Sequence, residues 1–171
     1  MLVAGIDGGA TRTRAVVADD HGRVLGSGQA GPTNLGSVAQ SQIKVNLEEA
    51  LNKAIKSLPG QKLDFVFLGI AGVTTVADRQ VVKDAMELIE EPGVAKVAVD
   101  HDIRTALAGG LGGDEGIAVV SGTGSSCYGR RLDGRSWQAG GWAHLVDDAG
   151  SAYDIAVKGL AAAARGADGR G

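Results

Sequence analysis

An α/β fold with a mixed sheet and helices on its faces is predicted by three features of the sequence. Short apolar runs of strand length alternate with longer segments of helical periodicity. The first three runs follow one another directly, as a meander, before helix and strand begin to alternate. Clusters of glycine fall at the boundaries between runs and do not form a linker.

Leu2–Asp7 reads as a buried strand, and Thr13–Asp19, with Ala15, Val16 and Val17 at its centre, as a second. Asp20-His21-Gly22 is a turn into a third strand, Arg23–Gln29. After the loop Ala30–Leu35, apolar residues at Val38, Ile43, Leu47, Leu51, Ile55 and Leu58 keep a helical spacing that Pro59-Gly60 stops. Leu63–Ile70 is a central strand, Thr75–Glu90 an amphipathic helix ended by Pro92-Gly93, and Val94–Val99 the next strand. Asp102–Leu111 is a short helix closed by glycines. The order is βββαβαβα, and the first lobe is expected to span residues 1–114.

At Gly116 the opening pattern returns. Ile117–Ser121, Ser126–Arg131 and Ser136–Ala139 read as strands, joined by turns at Gly122–Ser125 and Asp133-Gly134. Asp133-Gly134-Arg135 stands where the first copy has His21-Gly22-Arg23, which marks a candidate internal duplication; the plainer reading is that any two meanders look alike. Only an apolar helix, Ala149–Arg165, and the tail Gly166–Gly171 follow. Residues 115–171 are therefore expected to be the truncated start of a second similar lobe.

The chain has 171 residues, with 17 Lys plus Arg against 20 Asp plus Glu and a net charge of −3. That charge gives no reason to expect nucleic acid or an anionic membrane as a partner. The apolar run Leu2–Ile6 is broken by Asp7 and is too short for a signal peptide core or a membrane span. One cysteine, Cys127, excludes an intrachain disulfide and a multi-cysteine metal site within one chain. A cytoplasmic address is the expectation. Glycine, at 28 residues, is about twice its usual share, which suits backbone that must approach a small phosphorylated ligand.

Gly8-Gly9-Ala10-Thr11 lies at the end of a buried strand, where backbone N–H groups can wrap phosphate oxygens and Thr11 and Thr13 add hydroxyls. Asp7, fixed at the strand end, is placed to hold Mg²⁺ through water; a plain hairpin with a solvated carboxylate is the simpler reading. Ser121-Gly122-Thr123-Gly124-Ser125 is the same device in the second copy. Asp102 opens a helix, so it is either an N-cap or a general base that takes a proton from an attacking hydroxyl, with Asp100 as its competitor. Trp142, beside Gly140-Gly141, could be a sugar platform or core, and Asp148 a sugar-hydroxyl acceptor or a helix cap. Gly26–Gly31 matches G-x-G-x-x-G without a helix opening on the third glycine, and neither a P-loop nor a G-x-S-x-G elbow occurs.

Three segments together resemble the N-acetylglucosamine kinases of the BadF/BadG/BcrA/BcrD ATPase family, within the actin-like, sugar kinase and heat-shock ATPase superfamily. They are Gly5–Thr13, Val120–Cys127, and Gly140–His144 with Asp148–Tyr153. The resemblance implies a ribonuclease H-like fold in two lobes that bind ATP, Mg²⁺ and a sugar between them. By position it implies a first phosphate loop at Asp7, Gly8, Gly9 and Thr11, a second at Ser121–Ser125, and Asp102 as catalytic base. Asn34, Thr123, Gly141, Trp142 and Asp148 match sugar contacts. Asp147-Asp148-Ala149-Gly150-Ser151 stands where the family reads Gly-Asp-Glu-Gly-Ser, so the Glu is replaced by Ala149.

The activity implied is phosphorylation of an amino sugar, N-acetylglucosamine at its 6-hydroxyl, in the cytoplasm. Besides the sugar, the partners implied are a second copy in a homodimer or a missing C-terminal lobe. A non-catalytic sugar- or nucleotide-binding remnant is the competing class. An activator ATPase for 2-hydroxyacyl-CoA dehydration fits less well, because a lone Cys127 cannot supply the usual pair of cluster ligands.

Overall fold

The computed structural model describes residues 1–171, which divide into two compact units, Met1–Thr105 and Ala106–Gly171. In the first, β1 (Leu2–Gly8), β2 (Thr13–Asp19), β3 (Val24–Ala30), β4 (Phe65–Ile70) and β5 (Val97–Asp100) form one sheet in the order β3-β2-β1-β4-β5. β1 pairs antiparallel with β2 on one side and parallel with β4 on the other, so the sheet is mixed as expected.

Strict alternation along β1 and β2 sends Ala4, Ile6, Ala15 and Val17 into the core and Gly5, Asp7, Arg14 and Val16 to the opposite face. Ile6 lies level with Ala15 and Leu68, and Leu68 with Val99, so one apolar row crosses four strands. Helix α1 (Gln40–Ala54) covers this row with Ile43, Leu47, Ala50, Leu51 and Ala54, spaced three and four apart. A β-carbon at Gly26 or Gly28 would sit 2.0 Å or 2.1 Å from a carbonyl oxygen of α1, so these glycines let the helix lie directly on β3. The G-x-G-x-x-G match at Gly26–Gly31 is therefore a packing device.

Helix α1 starts at Gln40, later than the apolar spacing suggests, because the chain before it is held in a turn whose Ser37 and Val38 amides donate to Asn34 O. Helix α2 (Val76–Glu87) opens on a capping box: Thr75 accepts from the Asp78 amide, and Asp78 accepts from Thr75 N at 2.7 Å and Thr74 N at 3.0 Å. These bonds pull the Asp78 carboxyl down to about 2. Helix α3 (Asp102–Leu111) follows β5 after a single residue.

In the second unit β6 (Gly116–Ser121), β7 (Ser125–Arg130) and β8 (Ser136–Gly140) form an antiparallel meander. Helix α4 (Ala152–Ala167) starts three residues later than its apolar pattern suggests, because Ala149–Ser151 belong to a turn capped by Ser151. None of its residues is buried. Asp154 pairs with Lys158 and accepts from Gly150 N at 2.8 Å, and these contacts hold its carboxyl below the usual range. No helix is long and apolar enough to cross a membrane.

Candidate functional site

In the first unit the sequence-predicted residues gather at the carboxyl ends of the parallel strands. Asp7 lies in register with Gly69, and Gly69 with Asp100, so the three share one face at one end of the sheet. That face carries α3. A β-carbon at Gly69 would fall 1.7 Å from Thr105 Oγ1 and 3.2 Å from Asp102 Cα, so the first turn of α3 rests on the strand backbone. Gly69 was not among the expected site residues, although a glycine inside an apolar strand is a recognised sign of close backbone approach.

This packing brings the Asp102 charge near Asp7. Partial burial first, and Asp102 second, push the Asp7 carboxyl above the usual carboxylate range, against the opposing pull of Arg14 and Arg12. Asp100 is in the contrary state. Burial would raise it, but the His101 amide at 2.8 Å, the Arg104 guanidinium and Arg79 Nη2 at 3.2 Å together hold it below the usual range. Asp102 has no arginine or lysine partner; its Oδ1 lies 2.7 Å from His101 Nδ1, and its side chain is 29% exposed. Helix α3 begins at Asp102 itself, so the cap position falls to His101 and Asp102 lies in the first turn.

The first glycine turn is knitted to two other loops. Thr33 N donates to Gly9 O, Ala71 N to Gly8 O, and Leu35 N to Ala71 O. At the tip, Gly9 N is spent on Arg12 O, while the Ala10 and Thr11 amides make no hydrogen bond within the chain and both residues are exposed. Gly8 has a packing reason for lacking a β-carbon, which would meet Thr33 Oγ1 at 2.1 Å. The expectation for Thr13 is corrected: it is wholly buried, its hydroxyl 2.7 Å from Gly31 O and 2.9 Å from Thr33 Oγ1, and it offers nothing to a ligand. Asn34 Oδ1 accepts from Gly36 N at 2.8 Å, which leaves its Nδ2 as a donor with no hydrogen bond within the chain.

In the second unit Gly122–Gly124 closes β6 to β7, with Gly122 N donating to Gly124 O and Thr123 exposed. Asp148 is buried at 8% exposure with φ +60°, and its carboxylate lies against Gly124, where a β-carbon would be 2.9 Å from Oδ2. Asp148 is thus no helix cap; Ser151 fills that role by accepting Asp154 N at 3.2 Å. Trp142 is 75% exposed, so it is not core. It follows Gly140 and Gly141, at φ +75° and +83°, and precedes Ala143 at φ +72°, a conformation costing an alanine about 1–2 kcal/mol. The Ser121 and Ser125 hydroxyls donate to the carbonyls of Gly150 and Ala149, each at 2.9 Å.

Residues 4–171 match the BadF/BadG/BcrA/BcrD ATPase family. An N-acetylmuramic acid/N-acetylglucosamine kinase of Clostridium acetobutylicum is 38% identical over 99% of this chain and 55% of its own length. An N-acetyl-D-glucosamine kinase of Dictyostelium discoideum is 30% identical over 90% of this chain and 51% of its own. The crystal structure of a candidate N-acetylglucosamine kinase from Chromobacterium violaceum superposes with a TM-score of 0.73 at 28% identity, over 88% of this chain and 52% of that one. The chain spans about half the length of the curated relatives it matches. The match along nearly the whole chain and the shared sugar-kinase fold make this protein a member of the BadF/BadG/BcrA/BcrD ATPase family.

Proposed function

We propose that the protein is an ATP-dependent sugar kinase that phosphorylates N-acetylglucosamine at its 6-hydroxyl. The observation that carries the reading is the contrast between the two carboxylates around the end of β5. Asp100 is neutralised by Arg79 and Arg104, whereas Asp102 keeps an oxygen for a substrate proton. In this reading Asp102 accepts the proton of the 6-hydroxyl as its oxygen bonds to the γ-phosphorus, the bond to the β–γ bridging oxygen breaks, and ADP leaves.

The Ala10 and Thr11 amides, at the tip of the turn that Asp7, Gly8 and Gly9 lead into, serve as phosphate donors in the first unit, and the Gly122–Gly124 turn in the second. Asn34 Nδ2, Thr123, Gly141, Trp142 and Asp148 are the sugar contacts, with Trp142 offering a ring face and Asp148 a carboxylate acceptor. The crowding of Asp7 by Asp102 fits a hard divalent cation. No cluster of three His, Cys, Asp or Glu surrounds it, so Asp7 would hold Mg²⁺ together with phosphate oxygens and water. When bound, the ion supplies neutralisation of phosphate charge.

The test is calorimetric titration with N-acetylglucosamine, glucose and glucosamine, alongside an ADP-release assay. Selective binding of N-acetylglucosamine and sugar-dependent ADP release are expected, with Asp102→Asn lowering kcat by about 10²–10⁴-fold. Full turnover by Asp102→Asn overturns the assigned base, and ADP release that no amino sugar stimulates overturns the kinase reading.

A further inference from the structure

Ser121 and Ser125 flank the second glycine turn, where a phosphate loop calls for hydroxyl ligands. Their hydroxyls point elsewhere. Ser121 Oγ donates to Gly150 O and Ser125 Oγ to Ala149 O, both at 2.9 Å. A third bond runs the same way, from Ala152 N to Gly122 O at 2.8 Å. Each hydroxyl has one proton, and in each case that proton is committed to a carbonyl of the segment immediately after Asp148.

The other bonds of that loop are local: Val146 N and Asp147 N donate to Ala143 O, and Gly150 N to Asp154 Oδ2 at 2.8 Å. Gly141, Ala143, Asp148 and Gly150 all stand at positive φ, between +60° and +83°. Leu145 and Val146 are exposed at 83% each, so no apolar burial holds the loop down. Asp148 is nonetheless buried, its carboxylate pressed on Gly124, and Ser151 N closes the turn onto Asp148 O at 3.0 Å. The glycine turn and the Asp148 loop are therefore one mechanical piece, strapped by the two serines and Ala152 N.

We infer that Ser121 and Ser125 are positioning residues that hold the Asp148 loop in its sugar-binding conformation, not ligands of the phosphates. The role at the sugar rests on Asp148 being a sugar contact, as in the kinase reading above; the strap itself does not. Ala149 contributes through its backbone oxygen, so the strap works at this position without a glutamate side chain.

The experiment compares wild type, Ser121→Ala, Ser125→Ala, the double alanine variant and Ser125→Thr, which keeps the hydroxyl. Amide hydrogen exchange of residues 145–151, measured without any ligand, is expected to speed up about tenfold in the double variant and to stay near wild type in Ser125→Thr. The apparent KM for N-acetylglucosamine is expected to rise about tenfold while that for ATP stays within about twofold. A rise in the ATP KM with an unchanged sugar KM overturns the inference, as does unchanged exchange in both single alanine variants. Faster exchange in a protein whose wild type binds no sugar leaves the strap standing and overturns the kinase reading instead.

Discussion

Replacing Gly69 by alanine tests whether the first turn of α3 rests on β4. The added β-carbon would meet Thr105 Oγ1 at 1.7 Å, a distance that rotation of the hydroxyl can relieve. It would also meet Thr105 Cβ at 3.0 Å and Asp102 Cα at 3.2 Å, which rotation cannot change. Helix α3 must then lift by several tenths of an ångström, and overpacking of this kind costs about 1–3 kcal/mol. For a protein of this size that is a fall in Tm of roughly 2–12 °C. Because Asp102 rides on the lifted turn, kcat for sugar phosphorylation should fall by about 10–100-fold. Gly5→Ala is the internal control, on the same face of the neighbouring strand, where a β-carbon meets nothing within 4 Å. It should be neutral or stabilising by about 0.5–1 kcal/mol. Thermal melts of both variants decide the matter: equal Tm values for Gly69→Ala and wild type would refute the packing argument, and equal losses in the two variants would refute its locality.

Asp7→Asn should raise Tm at neutral pH, since it removes a carboxyl that burial and Asp102 hold in an unfavourable charged state, while lowering kcat by at least about 100-fold. A lower Tm would contradict that electrostatic account. Thr13→Val should cost about 1–3 kcal/mol in denaturant unfolding by stranding Gly31 O and Thr33, and leave the KM for ATP unchanged. The Asp78 cap sets an acid limit on α2. Its folded value of about 2 lies below its ordinary 3.8, so the stabilisation is complete above pH 3.8 and is lost as pH falls toward 2. Asp78→Asn should remove about 1 kcal/mol at pH 6 and almost nothing at pH 2, read as the difference in unfolding free energy from wild type.

Much of the fold is legible in the sequence because its cause is local. The alternation in Ala4–Gly8 and Thr13–Val17, the stripe Ile43–Leu47–Leu51 and the Thr75–Asp78 box each state their structure within a few residues. Asp7 and Asp102 each stand out locally, but that they are neighbours is not legible, since nothing near either one says that β1 and β5 flank the same strand. What escapes sequence reading is how a polar group is spent. Thr13 looks like a phosphate ligand until Thr33 and Gly31 take its hydroxyl. Ser125 looks the same until Ala149 O accepts its proton. Asp100 and Asp102 are equivalent on paper and are separated only by where Arg79 and Arg104 reach. Gly8, Gly28 and Gly69 share one residue type, yet each answers to a different neighbour: Thr33, Ala50 and Thr105.

Strand β1 belongs to two kinds of ladder at once, and this has a kinetic consequence. Its pairing with β2 is a hairpin that closes over a few residues, but its pairing with β4 requires partners 62 residues apart to meet, as Leu2 and Asp64 do. Loop closure of that length is slow compared with hairpin formation, so the meander should exist as a fluctuating ribbon before β4 docks. Asp7, at the end of β1, acquires its neighbours Gly69 and Asp102 only with that late event. The like charges beside it then oppose only the last step of assembly, so neutralising those carboxyls by mild acid or by a bound cation should slow unfolding more than it speeds folding.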